Sequence, residues 1–159
     1  MPPRRKAGTD PDPATARDRA LRLLTRREHS ARDLKRKLKE RGFDDEAADH
    51  AIGALAGDGL QSNARFAEQL IRTRITQGCG PMRIEADLRQ AGLAGDEIDA
   101  AMAATECDWA ARAIEVHARK FGSAPRSMAE RNRHYRFLMS RGFTGDQIRA
   151  ALKQDLAED

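Results

Sequence analysis

Apolar positions along this chain repeat on two scales. Locally they fall at helical spacing. Over the whole length they return on a register of 50 residues: Leu38, Leu88 and Leu138 share it, and Gly42, Gly92 and Gly142 follow each of them four positions later. Directly after each glycine stands a large apolar residue, Phe43, Leu93 or Phe143. An acid comes next, at Glu46, Asp96 and Asp146, and then an apolar residue at Ile52, Met102 and Leu152. Agreement in chemical type at five positions, without a gap, marks an internal repeat.

The repeated phrase has a direct physical reading. A helix ends before the glycine, which takes the left-handed conformation of a C-terminal cap without steric cost. The next apolar residue folds back on that helix, and a new helix starts with acids in its first turn, opposing the positive end of the dipole. Each phrase is therefore a helix–turn–helix corner with a structural role. Ser30 with Asp33, Ser127 with Glu130 and Thr144 with Gln147 read as capping boxes, and Pro81 suits a first helical position. No stretch shows strand alternation.

These signals predict nine helices, at about 16–28, 31–41, 45–57, 63–77, 81–91, 95–105, 108–121, 127–141 and 145–157. The fold class is all-α: three tandem three-helix repeats at 16–60, 61–106 and 107–159, stacked into an elongated curved array, with a flexible tail at 1–15.

Composition supports small units rather than one large core. Hydrophobic residues make up 40% of the 159-residue chain, but aromatics are only 4%, so large core-filling side chains are scarce. No apolar run approaches ~18 residues, which excludes a transmembrane helix. The N-terminal cations have no apolar segment behind them, unlike a secretory signal. Cys79 and Cys107 lack ligand spacing and read as reduced thiols. The expected location is the cytoplasm.

Charge changes the picture most. Residues 17–41 carry eleven cations against four acids, a local excess larger than the whole chain's net charge of +4. On a helical wheel at about 100° per residue, Ala31, Leu34 and Leu38 form the core face of the second helix. Arg32, Lys35, Arg36 and Lys39 form a stripe beside it, with Asp33 and Glu40 behind. Arg19, Arg22 and Arg26 add cations on the first helix. In the third repeat Arg136 shares the angle of Arg36, and Arg133 stands where the first repeat has Asp33. These nine cations are the candidate partner-binding residues. Such a face suits phosphates, with affinity falling as salt rises, or carboxylates on a protein.

Catalytic chemistry lacks a motif. His29, His50, His117 and His134 are scattered without metal-ligand spacing, and structural roles are expected for them. There is no phosphate-binding loop, dinucleotide fingerprint or nucleophile elbow. Asp44, Asp45 and Glu46 are explained by capping. Trp109, Tyr135 and Phe137 are too few for a base-stacking platform. The expectation is a protein that is not an enzyme, with no cofactor, metal or small-molecule substrate.

Three stretches carry a family resemblance: ALRLLTRREHSARDLKRKLKERGF at 20–43, RFAEQLIRTRITQGCGPMRIEADLRQAGL at 65–93 and FLMSRGFTGDQIRAAL at 137–152. In that order and on that register they resemble RecX, the bacterial modulators of the RecA recombinase, over about 16–153. The resemblance implies an all-helical protein of three-helix repeats. It also implies binding to RecA filaments on DNA and inhibition of strand exchange, ATPase and coprotease activities. It brings no catalytic residues. Two departures stand out: Cys79 replaces a family aromatic or basic residue, and AARAIEVHARKFGSAPRS in the third repeat is less typical. The alternative is a helical module that binds DNA weakly and acts on RecA only by competing for DNA. Against base readout, the third, sixth and ninth helices begin with acids.

Overall fold

The computed structural model describes residues 13–153; residues 1–12 of the tail expected at 1–15 lie outside them, and residues 13–15 belong to the first helix. The described residues form nine helices: α1 (Pro13–Arg26), α2 (Ala31–Glu40), α3 (Asp45–Gly57), α4 (Asn63–Thr76), α5 (Pro81–Gln90), α6 (Gly95–Ala103), α7 (Trp109–Phe121), α8 (Met128–Ser140) and α9 (Gly145–Lys153). They group as three three-helix units in an elongated all-α array, each unit with its own apolar core. The largest departure from the predicted boundaries is α1, which starts at Pro13 and ends at Arg26, so that Glu28 to Ser30 run extended into the α2 cap. Residues 154–157 of the predicted last helix lie outside the described residues.

Each corner folds as its residues require. The amides of Phe43, Leu93 and Phe143 donate back to the carbonyls of Leu38, Leu88 and Leu138 at 3.1, 3.2 and 3.2 Å. The glycine between takes a positive φ, 95° at Gly42, 92° at Gly92 and 96° at Gly142. This is the six-to-one bond of a Schellman cap. It brings the apolar residue onto the helix it follows, so Leu38, Leu88 and Leu138 are fully buried. N-terminal caps complete the pattern. Ser30, Ser127 and Thr144 accept from the backbone amides of Asp33, Glu130 and Gln147. The reciprocal half of the box forms at Thr144, whose amide donates to Gln147 Oε1 at 2.9 Å. At Ser127 the Glu130 carboxylate takes the Arg126 amide instead, and Asp33 turns toward Arg36.

The corners also join the units. Ser30 Oγ, at the N-terminus of α2, donates to the Ala91 carbonyl at the α5 corner, 2.8 Å away in a buried position. Fifty residues on, the Gly80 amide at the N-terminus of α5 donates to the Arg141 carbonyl at the α8 corner, at 2.7 Å. Met82 N–H adds a bond to the Gly142 carbonyl at 2.9 Å. The backbones are so close here that a Cβ on Gly80 would lie 2.5 Å from the Gly142 carbonyl carbon, and one on Gly142 would lie 2.5 Å from Arg83 N. At the first joint the stem of Arg32 covers Gly92, where a Cβ would meet Arg32 Cβ at 2.6 Å. Trp109, the first residue of α7, packs against the second unit's core and ties the third unit to it.

Candidate partner-binding groove

Helix α2 carries its cations where its core face demands. Leu34 and Leu38 are fully buried, so the neighbouring positions Arg32, Lys35, Arg36 and Lys39 are turned to the edge of the first unit. The joint between units then sets α4 and α5 opposite that edge. The result is an open groove of about 1130 Å³, lined on one side by Arg27 and the α2 stripe and on the other by Arg74, Asp87 and Gln90, with Phe66, Leu70 and Ala91 as apolar lining. Six cations and three acids line it: Arg27, Arg32, Lys35, Arg36, Lys39 and Arg74 against Asp33, Glu40 and Asp87.

The acids are not all behind the stripe, as a wheel of one helix suggests. Lys35 Nζ lies 3.0 Å from Asp49 and Lys39 Nζ 2.9 Å from Asp45, both carboxylates coming from α3. The hydrogen bond from Lys35 to Asp49 raises the lysine's pKa, and the bond from Lys39 holds the Asp45 carboxyl below its usual range. Arg36 lies between Glu40 at 3.4 Å and Asp33 at 3.9 Å. Across the groove, Arg74 Nε pairs with Asp87 at 2.8 Å. Arg27 and Arg32 have no carboxylate within 4.0 Å among the described residues. The groove therefore offers two unpaired guanidinium groups and several exposed pairs that a ligand's anions can exchange into.

Of the nine candidate cations, Arg32, Lys35, Arg36 and Lys39 meet in this groove. Arg19, Arg22 and Arg26 are exposed on α1, outside the groove lining, and Arg133 and Arg136 are exposed on α8, the counterpart of α2 in the last unit. Arg27 and Arg74 were missed as candidates. Arg27 was visible as part of the basic run, whereas Arg74 is reached only through the packing of the second unit on the first.

Three of the four histidines have structural places, and His50 is exposed. His29 is buried: Nδ1 bonds to the Arg27 carbonyl at 3.0 Å, and Nε2 meets Lys37 Nζ at 3.2 Å. Burial lowers the pKa of His29, and burial also lowers that of Lys37, with Arg27 and Arg36 adding to it. His117 and His134 are brought together in the third core, Nε2 to Nδ1 at 2.9 Å, with Phe121 stacked on His134 at 3.6 Å between ring centroids. His134 occupies the register position of Leu34 and Ile84, which are fully buried. Cys79 is buried and Cys107 half-buried, and both are free thiols. Among the described residues no group of three or more His, Cys, Asp or Glu could hold a metal ion, and no helix is long and apolar enough to cross a membrane.

Comparison with known proteins agrees with this architecture unit by unit. The first, second and third three-helix domains of RecX match residues 16–55, 62–102 and 106–152. "Regulatory protein RecX" of Xanthomonas campestris is 45% identical over 141 residues, covering 88% of this chain and 87% of its own. That of Halorhodospira halophila is 47% identical over 136 residues, covering 85% and 84%. Among solved structures, RecX from Lactobacillus salivarius superposes with a TM-score of 0.78 at 18% identity, covering 92% of this chain and 97% of that one. That likeness shows the fold.

Proposed function

Because the chain belongs to the RecX family, whose members are regulatory proteins rather than enzymes, we propose that it acts on the RecA recombinase. It docks on RecA filaments assembled on DNA, through the groove between its first two units. Docking inhibits recombination, ATPase and coprotease activities. The observation that carries this reading is the convergence of Arg32, Lys35, Arg36 and Lys39 on one groove with an apolar lining. A cationic rim around apolar surface suits a protein carrying carboxylates better than bare phosphates, because the apolar lining adds burial that a phosphodiester backbone cannot use.

The deciding experiment is RecA ATPase on single-stranded DNA with substoichiometric amounts of this protein. Strong inhibition well below one molecule per RecA supports filament binding or end-capping. Reversing Arg32, Arg36 and Lys39 to Glu should weaken inhibition while far-UV circular dichroism stays unchanged. Unchanged inhibition would remove the groove from the mechanism.

The unpaired Arg27 and Arg32 also favour a second reading, in which DNA itself is the ligand and RecA is displaced by competition. Titration of labelled DNA without RecA separates the two. Negligible binding near physiological salt rules the second out.

A further inference from the structure

We propose that the cleft between the second and third units is a second docking site, and that it takes an acidic polypeptide segment carrying an apolar side chain. This site stands independently of which partner fills the first groove. The cleft encloses about 220 Å³ between the C-terminal end of α4 and helices α7 and α8.

The argument comes from comparing the two joints position by position. The buried residues Ala67 and Ile71 of α4 match Ala113 and His117 of α7. With that register Leu70 corresponds to Val116 and Arg74 to Lys120. Leu88 and Gly92 match Leu138 and Gly142, so Asp87 corresponds to Phe137 and Ala91 to Arg141. In the first groove Asp87 neutralises Arg74 at 2.8 Å. In the cleft that acid is gone. Lys120 Nζ sits over the ring of Phe137 instead, 5.4 Å from its centroid, and the Arg141 guanidinium lies 5.2 Å from the same centroid.

The remaining charges do not restore the balance. Glu115 is the cleft's sole lining acid, and it pairs with Arg112, which also donates to the Ile75 carbonyl at 2.7 Å. Arg119 and Lys120 have no carboxylate within 4.0 Å among the described residues. Two unpaired cations thus flank an apolar floor of Val116 and Phe137. Loss of the internal carboxylate leaves the place for an external one.

The same details select a peptide over a nucleic acid strand. Phe137 is already engaged by two cations and by Phe121, edge-on at 5.4 Å, so it offers no bare ring for a base to stack on. Val116 calls for an aliphatic contact, which a residue beside a glutamate supplies and a phosphodiester does not.

The test is a nitrogen-15 heteronuclear NMR titration of the full chain. The probes are a short peptide of glutamates around a central leucine, its glutamine analogue, and oligothymidylate. The acidic peptide should shift the amides of Val116, Arg119, Lys120, Phe137 and Arg141. Its affinity should drop at least about tenfold in Arg119→Glu/Lys120→Glu and persist in Arg32→Glu/Arg36→Glu, which alters only the first groove. The proposal is overturned if those amides do not move, if the glutamine analogue moves them equally, or if oligothymidylate binds there more tightly than the peptide. It is overturned too if the Arg119/Lys120 reversal leaves affinity unchanged in a chain of unchanged helicity, or if the first-groove reversal abolishes the shifts.

Discussion

The joints between units are the feature on which both grooves depend, and three glycines allow their contribution to be separated. Gly59→Ala places a Cβ on a residue at φ 73° with nothing within 4 Å, so it measures backbone strain alone. That strain is about 1–2 kcal/mol. Gly80 has an ordinary negative φ of −92°, but its Cβ would lie 2.5 Å from the Gly142 carbonyl carbon and from Phe143 N. Gly80→Ala therefore measures the clash alone. Its neighbours are backbone atoms that cannot rotate aside, and overpacking of this kind costs about 1–3 kcal/mol. Gly142→Ala combines both, with φ 96° and Arg83 N at 2.5 Å. It should be less stable than Gly59→Ala by about 2 kcal/mol, or roughly 4–8 °C in Tm for a chain of this size. Trp109 is the single tryptophan and packs across this joint, so its emission reports the junction while circular dichroism reports the helices. Urea unfolding should show the Trp109 transition moving to lower denaturant in Gly80→Ala and Gly142→Ala, and far less in Gly59→Ala. The double variant Gly80→Ala/Gly142→Ala should lose less than the sum of the singles, because both strike the same contact. Equal destabilisation by Gly59→Ala and Gly142→Ala would refute the account of the joint as a close backbone contact.

Two further perturbations test neighbouring residues of the first unit, Ser30 and His29. Ser30→Ala removes an N-cap and also leaves the buried Ala91 carbonyl without the serine's hydrogen bond, whereas Ser62→Ala removes an N-cap only. Ser30→Ala should therefore cost more than the ~0.5–2 kcal/mol of a lost cap, by about 1–3 kcal/mol for the stranded acceptor, and equal costs in chemical denaturation would count against it. For pH, His29 is held neutral by burial, so its folded pKa lies below the ordinary 6.5. The unfolded state then binds more protons as pH falls through about 6.5, and the histidine's contribution to stability declines from there toward its folded pKa. Thermal melts from pH 7.5 to 5.5 should show a shallower decline for His29→Gln than for the parent chain, and identical slopes would exclude His29 as a source of the effect.

Much of the fold was legible because the corner makes demands that few residues meet. A positive φ followed by a buried apolar residue selects Gly-Phe or Gly-Leu, and three copies on one register disclose three units. The stripe on α2 was equally visible, since Leu34 and Leu38 fix the helix's orientation. What escaped notice depends on packing between helices. Asp45 and Asp49 neutralise Lys39 and Lys35 from α3, which a wheel of α2 cannot contain. His117 and His134 come from separate helices and become neighbours only when α7 and α8 pack. The cleft cations come from α7 and from the α8 corner, and those of α7 follow a register set by Ala67 and Ala113 rather than by the 50-residue repeat. The corners themselves read as caps, and nothing in a single unit reveals that Ser30 and Gly80 also bond to the next unit's carbonyls.

The two joints share a geometry but differ in charge, and that difference separates their roles. In the first groove every anion of a ligand competes with an internal partner, except at Arg27 and Arg32, so each new contact is partly an exchange and the net gain per contact is small. In the cleft the exchange partner has been replaced by Phe137, and a carboxylate meets cations that have no internal carboxylate to give up, Lys120 among them over the aromatic ring. Neither site needs high intrinsic affinity. The joints hold successive units by hydrogen bonds to the corner carbonyls and by contacts too close to admit a methyl group, so the separation of the two sites is set by the fold rather than by a flexible linker. A partner that presents acidic surface at matching intervals meets the second site at high effective concentration once the first is engaged. A partner with a single acidic segment gains nothing from the spacing. On the proposed function, rigid joints are therefore what would let a small protein with exposed, salt-sensitive contacts discriminate an assembled filament from its free subunits.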